Sequence, residues 1–166
     1  MSAIPEQLSP GLFVVRPAAT TAEADGLTRL KGKASVKPLG GRTPGWLVKL
    51  NKLPKTARAG WSSLHNLLGA GYLVLPAIID EAGQYRYPTG LLSLRFEDDA
   101  SEQALQTVAD TYGLEFVGRA KFTRQQALFR PADGSDVFLP DVSGKIEHDE
   151  QVEAVWFDAE SAYSRS

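Results

Sequence analysis

Cysteine is absent from this sequence of 166 residues, and histidine occurs only twice, at His65 and His148. The lack of cysteine excludes disulfides, thiolate metal ligands and a cysteine nucleophile. His65 has no second histidine or carboxylate one helical turn away. His148 lies in an acidic run, but the spacing of its neighbours does not let them fold back and bind one metal ion together with His148. We therefore expect both histidines on the surface, with no metal site and no catalytic role.

A long apolar run and a basic leader are missing as well. The longest apolar stretch is Tyr72–Ile79, which is interrupted by Pro76 and is too short to cross a bilayer. The opening residues, MSAIPEQLSP, lack the basic segment and the apolar core of a signal peptide. Together with the absence of cysteine, these features favour a cytoplasmic protein and give no reason to expect a membrane partner.

Motifs of common catalytic and cofactor sites do not occur. The patterns G-x-S-x-G, G-x-G-x-x-G and G-x-x-x-x-G-K-[ST] are absent, and Ser143-Gly144 does not lie at a predicted strand-to-helix turn. Gly40-Gly41 fits a hairpin turn better than a phosphate loop. The sequence therefore predicts a non-catalytic protein without a cofactor.

Charge is nearly balanced overall but unevenly distributed. The formal net charge is −2 and the isoelectric point is about 5.7, which removes a global argument for nucleic-acid binding. Arg29–Arg58 holds nine Lys/Arg and no Asp/Glu, whereas Asp133–Glu160 holds nine Asp/Glu and one Lys. Two solvated faces explain this asymmetry better than a surface for an anionic ligand. Trp46 lies in the basic segment, but the aromatic RNP pattern is missing beside it, which disfavours nucleic acid as a partner.

Hydrophobic alternation and helix stop signals predict the order β-α-β-β-α-β in the first half. A T-x-x-E capping box at Thr20 and Glu23 begins the first helix, and Gly32 ends it. Pro76 indicates an edge position or a bend in the fourth strand. The predicted elements are strands at Leu12–Val15, Ala34–Lys37, Trp46–Leu50 and Tyr72–Ile79, with helices at Thr20–Leu30 and Trp61–Leu68.

The same order restarts after a predicted connector at Asp80–Pro88. The second helix of this half, Val137–His148, is expected to be short because it contains Pro140 and Gly144. Asp99 and Glu102 repeat the capping box, and Gly113 ends the helix that they begin. The other predicted elements are strands at Leu91–Phe96, Leu114–Val117, Ala127–Phe129 and Val152–Phe157, with a helix at Asp99–Tyr112.

The two halves correspond at an offset of 79 residues. The corresponding pairs are Leu12 and Leu91, Arg16 and Arg95, Thr20 and Asp99, and Glu23 and Glu102. This repeat predicts an α+β fold of two tandem ferredoxin-like (βαββαβ) units, each an antiparallel sheet with helices on one face. We assign residues 1–83 to the N-terminal unit, 84–158 to the second unit and 159–166 to an extended C-terminal tail. Units this small are marginal alone, so we expect them to pack on each other.

Segments of the second unit resemble the N-terminal propeptides of subtilisin-like serine proteases (subtilases, peptidase S8). They are Tyr87–Phe96, with the sequence YPTGLLSLRF, the helix end Tyr112–Leu114, and Asp149–Val155, which is similar to the family's D-P-x-V-x-Y-x-E-P-[ND] ending. Leu73–Gly83 is similar to the close of an additional N-terminal unit in some of these precursors. The first unit resembles the family in topology only.

The resemblance implies a protein that binds and inhibits a subtilase, in cis or in trans, and assists its folding as an intramolecular chaperone. In the family, the open sheet face packs on two protease helices, and the tail lies in the substrate cleft like a cleaved product. By alignment, Asp158 is the carboxylate that caps a protease helix, and Trp156-Phe157 stands where the family often has Glu-Pro. The implied protease-binding residues are Trp156, Phe157, Asp158, Ala162, Tyr163, Ser164, Arg165 and Ser166.

Two other classes of function stay open from the residues alone. One is a tandem ferredoxin-like module that binds a ligand or nucleic acid, and the other is an enzyme without recognisable catalytic groups. The residue types of the tail by themselves favour a frayed terminus. The end of the sequence soon after Tyr163 fits a boundary inside a protease precursor, and the initial Met without a signal fits a cytosolic protein.

Overall fold

The computed structural model describes residues 7–17, 24–39, 45–69, 71–97, 100–120, 123, 125–132 and 137–161. These residues form an α+β fold. The strands are β1 (Gln7–Pro17), β2 (Ala34–Pro38), β3 (Trp46–Leu50), β4 (Tyr72–Ile79), β5 (Tyr85–Phe96), β6 (Leu114–Arg119), β7 (Gln126–Pro131) and β8 (Val152–Ser161). The helices are α1 (Ala57–Leu68), α2 (Glu102–Tyr112) and α3 (Leu139–Ile146), with a 3₁₀ helix at Ala24–Leu30.

The eight strands belong to one antiparallel sheet. Their order is β2-β3-β1-β4-β5-β7-β6, and β8 also pairs with β5. By its internal contacts the chain divides into two compact units, which are Met1–Thr89 together with Ala159–Ser166, and Gly90–Asp158. Both boundaries between the units lie within strands: the first, between Thr89 and Gly90, lies in β5, and the second, between Asp158 and Ala159, lies in β8.

The first unit has the strand order β2-β3-β1-β4. Phe13 and Val15 of β1 face a buried apolar cluster, so alternation directs Val14 and Arg16 to the opposite face of the sheet. Helix α1 contacts β1, β4 and the 3₁₀ helix. The cluster consists of Phe13, Val15, Leu30, Val48, Leu64, Leu68, Tyr72 and Val74.

Pro76 of β4 lies opposite Phe13 of β1, directly after a shift in register that follows Leu8. The pairing between β4 and β5 is confined to Ile78 and Ile79 on β4. Pro76 therefore pairs with β1 and lies outside the short ladder between β4 and β5, which suits a residue that has no backbone N–H to donate.

The second unit has the strand order β8-β5-β7-β6. Leu92 and Leu94 of β5 pair with Phe129 and Ala127 of β7, and all four side chains are buried. The ring of Phe116 meets that of Phe129 edge-on, with 5.7 Å between their centroids. The helices of this unit contribute the buried apolar residues Leu105, Val108, Ala109, Leu139 and Ile146.

The predicted connector at Asp80–Pro88 is wrong, because β5 already begins at Tyr85. Asp80 closes the preceding turn within a few residues, since its Oδ1 accepts two backbone N–H groups at 2.9 and 3.0 Å. Gly83 adopts a φ of 81°, which side chains rarely allow. The turn therefore ends sooner than the sequence suggests, and Pro88 lies within a strand instead of a loop.

The ends of the longer helices follow local capping chemistry. Thr56 caps α1 by accepting a backbone N–H at 3.0 Å, and the helix ends before Gly69 as predicted. Helix α2 begins with Ser101 as its cap, which accepts a backbone N–H at 3.1 Å. The predicted cap Asp99 is therefore wrong; Asp99 itself lies outside the described residues. Gly113, with a φ of 69°, ends α2 as predicted.

The first predicted helix is a 3₁₀ helix at Ala24–Leu30 instead of an α-helix. Its capping residues Thr20 and Glu23 lie outside the described residues. Gly26 and Thr28 are weak helix formers, and a segment this short tolerates the tighter 3₁₀ turn. No helix within the described ranges has the length and apolar character needed to cross a membrane.

Gly60 of α1 lies against Phe13, and a Cβ at this position would come within 2.6 Å of both the Phe13 ring and the carbonyl oxygen of Pro10. We expect Gly60→Ala to lower the free energy of unfolding by about 1–3 kcal/mol, because overpacking outweighs the gain in helix propensity. The control is Gly144→Ala in α3, where nothing lies within 4 Å of the new Cβ. That variant should gain about 0.5–1 kcal/mol. Chemical denaturation measures both, and a stabilised Gly60→Ala would contradict this packing.

Candidate functional site

The start of β8 is fixed by the side chain of Asp149. Its Oδ1 accepts the backbone N–H of Gln151 at 2.9 Å, and its Oδ2 accepts the hydroxyl of Tyr112 at 2.7 Å. The backbone carbonyl of Asp149 also accepts from Val152, the first residue of the strand, at 3.1 Å. Because Tyr112 is the last residue of α2, this carboxylate ties the beginning of β8 to the end of that helix.

The same contact changes the acidity of Tyr112. The hydrogen bond to the Asp149 carboxylate, followed by burial and by the negative charge of that group, raises the pKa of Tyr112 from 10.0 to about 12. Each cause favours the neutral phenol, which alone can donate a proton to the carboxylate. The phenol therefore stays a donor across the physiological range.

One face of the second unit's sheet carries paired polar side chains, and we call it the polar face. Arg95 of β5 donates to Glu153 of β8 at 2.8 Å, and Arg130 of β7 donates to Glu115 of β6 at 2.8 Å. A third pair joins Gln126 Nε2 to Ser93 Oγ at 2.7 Å. Arg95 alternates with the buried Leu94 and Phe96, so this face is the one turned away from the apolar interior.

The predicted binding residues of β8 are divided between its two faces. Phe157 shares the parity of Glu153 and therefore belongs to the polar face, where it is partly buried. Trp156 shares the parity of Val152 on the other face, yet its side chain is 40% exposed. Asp158, the next residue, is exposed and is the last residue of the second unit.

Two arginines of the first unit hold the end of β8, which belongs to that same unit. Arg86 Nη2 donates to the backbone carbonyl of Ala159 at 3.2 Å. Arg16 Nη2 lies 3.5 Å from Glu160 Oε1, and Arg16 Nε donates to the carbonyl of Pro88 at 2.8 Å. The side chains of Arg16 and Glu160 are 3% and 15% exposed, so this ion pair is shielded from water.

The sequence pattern does not identify Arg16 or Arg86 as part of this site. The one signal in the sequence is that Arg16 corresponds to Arg95 in the repeat, and this correspondence does not predict which groups Arg16 contacts. The remaining predicted site residues lie outside the described residues; they are Ala162, Tyr163, Ser164, Arg165 and Ser166.

The two histidines and Trp46, which the sequence analysis considered for metal binding, catalysis or nucleic-acid binding, have the following surroundings. His65 stacks on Trp61 along α1, with ring centroids 4.9 Å apart, and His148 is exposed in the turn after α3. Trp46 packs on the buried cluster of the first unit and meets Tyr72 edge-on at 6.4 Å. Within the described residues, no three His, Asp or Glu side chains gather as a group that could hold a metal ion.

A surface depression of about 480 Å³ lies at the N-terminal end of α2. Its polar lining includes Glu97, Glu150 and Ser101, and the Ser101 hydroxyl is engaged in capping the helix. The depression thus combines two carboxylates with a hydroxyl that is already engaged in capping the helix.

Comparisons with known proteins give no family for this chain. No protein-family model matches it, and no curated protein matches its sequence. A solved structure described as an unknown protein from Galdieria sulphuraria is similar at 17% identity, covering 91% of this chain and 96% of that chain, with a TM-score of 0.24. A likeness at that TM-score supports no assignment of fold or function.

Tyr112→Phe removes the hydroxyl that donates to Asp149, and we expect it to lower the free energy of unfolding by about 1 kcal/mol at neutral pH. The pKa of Tyr112 is higher in the folded chain, so its contribution is fully present below pH 10 and is lost as the pH rises towards 12. The difference between the wild type and Tyr112→Phe should therefore shrink over that range. Denaturation at a series of pH values tests this, and a constant difference up to pH 12 would refute the assigned shift.

Proposed function

We propose that both units have the ferredoxin-like fold. When the strands of each unit are counted in chain order, the four strands of either unit follow one another in the sheet in the order 2-3-1-4. Each unit also runs strand, helix, strand, strand, helix, strand along the chain, with a 3₁₀ helix at the first helical position of the first unit. Arg16 and Arg95, which correspond in the sequence repeat, both lie in the first strand of their unit, Arg16 on the face opposite Phe13 and Val15 and Arg95 on the face opposite Leu94 and Phe96. These three agreements support a tandem repeat.

We propose further that the chain binds and inhibits a subtilisin-like serine protease in the manner of a propeptide. The observation that carries this proposal is the course of β8, which continues as a strand beyond Asp158 to Ser161 and leads directly into Ala162–Ser166. Extended backbone is the conformation that a protease cleft binds by adding the peptide to its edge strands. Strand β8 thereby carries extended backbone to Ser161, within the part of the strand that belongs to the first unit, and the proposed inhibitory residues follow directly in the sequence.

The polar face supplies a second contact with the protease. Apolar side chains of Leu91, Leu128 and Phe157 share this face with the ion pairs of Arg95 and Arg130, so it combines apolar area with fixed charges. A mixture of this kind is typical of interfaces between proteins that also exist separately. Asp158, exposed where β8 leaves the second unit, would accept the backbone N–H groups at the N-terminus of a protease helix.

Within the tail, Tyr163 is the main apolar anchor, because its neighbours are small or polar. If Ser166 occupies the primary pocket of the cleft, Tyr163 lies three residues earlier, where subtilases commonly accept an apolar side chain. If Tyr163 occupies the primary pocket, Ser164–Ser166 lie beyond the scissile position and are trimmed. In either register the backbone pairs with the cleft edges and alternate side chains enter pockets.

Deletion of Ala162–Ser166 should abolish competitive inhibition and leave the fold intact, since these residues follow the last strand. Burial of one tyrosine ring contributes about 1.5–3 kcal/mol, so Tyr163→Ala alone should raise the inhibition constant roughly ten- to a hundredfold. Inhibition constants against a panel of subtilases measure the effect, and melting temperatures check the fold. Conservative replacement of the outermost residue, Ser166→Ala, serves as the control.

The truncated chain is expected to retain weak binding through the polar face. Full inhibition without the tail would refute the product-like mechanism, even with a protease partner established. Failure of the intact chain to inhibit or bind any subtilase would refute the proposed function as a whole.

Phe157→Asp should raise the inhibition constant by roughly tenfold or more, because it places a charge among the apolar groups of the polar face. Trp156→Asp is the matched control, since this neighbour lies on the other face of β8 and should change the inhibition constant less. Circular dichroism and melting temperature establish that both variants fold. Unchanged inhibition by a folded Phe157→Asp variant would remove the polar face from the interface.

A further inference from the structure

Strand β2 lies at the outer edge of the first unit. It stands at the end of the sheet order, and among the described residues it pairs with β3 alone. The side chains of Ser35–Pro38 are exposed along this edge. An edge strand in the open presents backbone N–H and C=O groups to which a further strand can be added.

The pairing of β2 with β3 shows which backbone groups point outward. Asn51 N–H donates to the carbonyl of Lys33 at 2.9 Å, just before β2 begins. Bonded and non-bonded positions alternate along an antiparallel pair, so Ser35 turns its backbone groups towards β3 in the same way. Ala34 and Val36 therefore direct their N–H and C=O groups to the open edge.

The two faces of β2 carry different side chains. Val36 lies opposite Val48 of the apolar cluster, and its own side chain is 38% exposed. The other face is basic, because alternation places Lys33, Lys37 and Lys49 there. Within the described residues, none of these three lysines forms an ion pair or a side-chain hydrogen bond. The edge thus combines open backbone groups, an apolar contact and unneutralised positive charge.

The charge of this hairpin decides what kind of strand fits its edge. Arg29–Arg58, which includes β2 and β3, has nine Lys/Arg and no Asp/Glu. Strand β2 of a second copy would bring the same lysines against this edge, and like charges on neighbouring strands are destabilising. A strand with carboxylates at alternate positions would instead neutralise the lysines. Positive charge alone is typical of a solvated surface, but next to open backbone groups it favours an acidic strand.

We propose that the outer edge of β2 binds an extended acidic peptide segment by strand addition. The backbone of the segment pairs with Ala34 and Val36. Its carboxylates lie on the face of Lys33 and Lys37, and the apolar residues between them lie on the face of Val36. This surface belongs to the first unit and does not require the proposed inhibition of a protease.

A labelled peptide of four Glu-Val repeats is the probe, because it places carboxylates on one face and apolar side chains on the other. The control peptide has four Glu followed by four Val, so it keeps the charge and loses the alternation. Fluorescence anisotropy with the full chain should give a Kd roughly tenfold lower for the alternating peptide. With this peptide at saturation, the Val36 N–H should exchange with solvent roughly tenfold more slowly by NMR, whereas the Lys37 N–H, already turned towards β3, should change little.

Val36→Pro removes the outward N–H and leaves the ladder to β3 in place, so it should raise the Kd of the alternating peptide roughly tenfold. Val36→Thr keeps the N–H and is its matched control. Lys37→Glu should weaken binding of the Glu-Val peptide and favour a Lys-Val peptide instead. Lys52→Glu makes the same charge change at an exposed position outside the strands and should have a smaller effect. Circular dichroism and melting temperature check the fold of each variant, and the exchange measurement on the wild-type chain needs no variant.

Three results would overturn the proposal. Equal binding of the alternating and block peptides would reduce the interaction to attraction between charges. Binding of an oligothymidylate that survives Val36→Pro, with no binding of the Glu-Val peptide, would identify the lysines as phosphate contacts. Self-association of the chain in sedimentation, abolished by Val36→Pro, would assign the edge to a second copy.

Discussion

The burial of one cation constrains much of the first unit. Arg16 is 2% exposed, and removing a guanidinium from water costs on the order of several kcal/mol unless its donors find partners. Its Nε donates to the carbonyl of Pro88 at 2.8 Å, and the carboxylate of Glu160 lies at ion-pair distance, 3.5 Å from Nη2. Because these groups come from β5 and from the end of β8, three distant stretches of chain must meet around β1 before the charge is compensated. Apolar packing of the unit's cluster alone would not impose that requirement.

The same strand position carries different chemistry in the two units. Arg16 is enclosed and its partners are remote in sequence, with Pro88 lying 72 positions away. Arg95 is 42% exposed and pairs with Glu153 on the neighbouring strand β8, where water screens much of the attraction. The first arginine therefore restrains the backbone around it, whereas the second contributes to a surface that stays available for contact with another protein.

The order of elements could be predicted from the sequence because it depends on local chemistry. Gly69 and Gly113 end their helices where the apolar stripes stop, and apolar runs of high β-propensity locate the cores of the strands. The sequence alone does not decide whether Asp99 or Ser101 caps α2, because both residue types suit an N-cap. The observed start of the helix at Glu102 identifies Ser101 as the cap. The length of β5 was obscured by Pro88, whose ring suggests a turn although it lies inside a strand.

The candidate site was predictable only in part. The resemblance to subtilase propeptides singles out Trp156 and Phe157 at the end of the last predicted strand and Asp158 directly after it, and alternation assigns the first two to opposite faces. The arginines that hold the following residues could not be found in this way, because Arg86 reaches a carbonyl 73 positions away and no local spacing encodes such a contact. The roles of the tail residues stay predictions, since they lie outside the described residues.

The contact between Arg16 and Glu160 also has a consequence for biosynthesis. A chain emerges from the ribosome N-terminus first, and a domain completes its folding only when all of its parts are available. Arg16 lies in the first strand, whereas Glu160 lies in the last. The first unit can gather its apolar cluster during translation, but the ion pair between Arg16 and Glu160 forms only when β8 has left the exit tunnel. This contact of the first unit is therefore completed only after Gly90–Asp158, the whole of the second unit, has been synthesised.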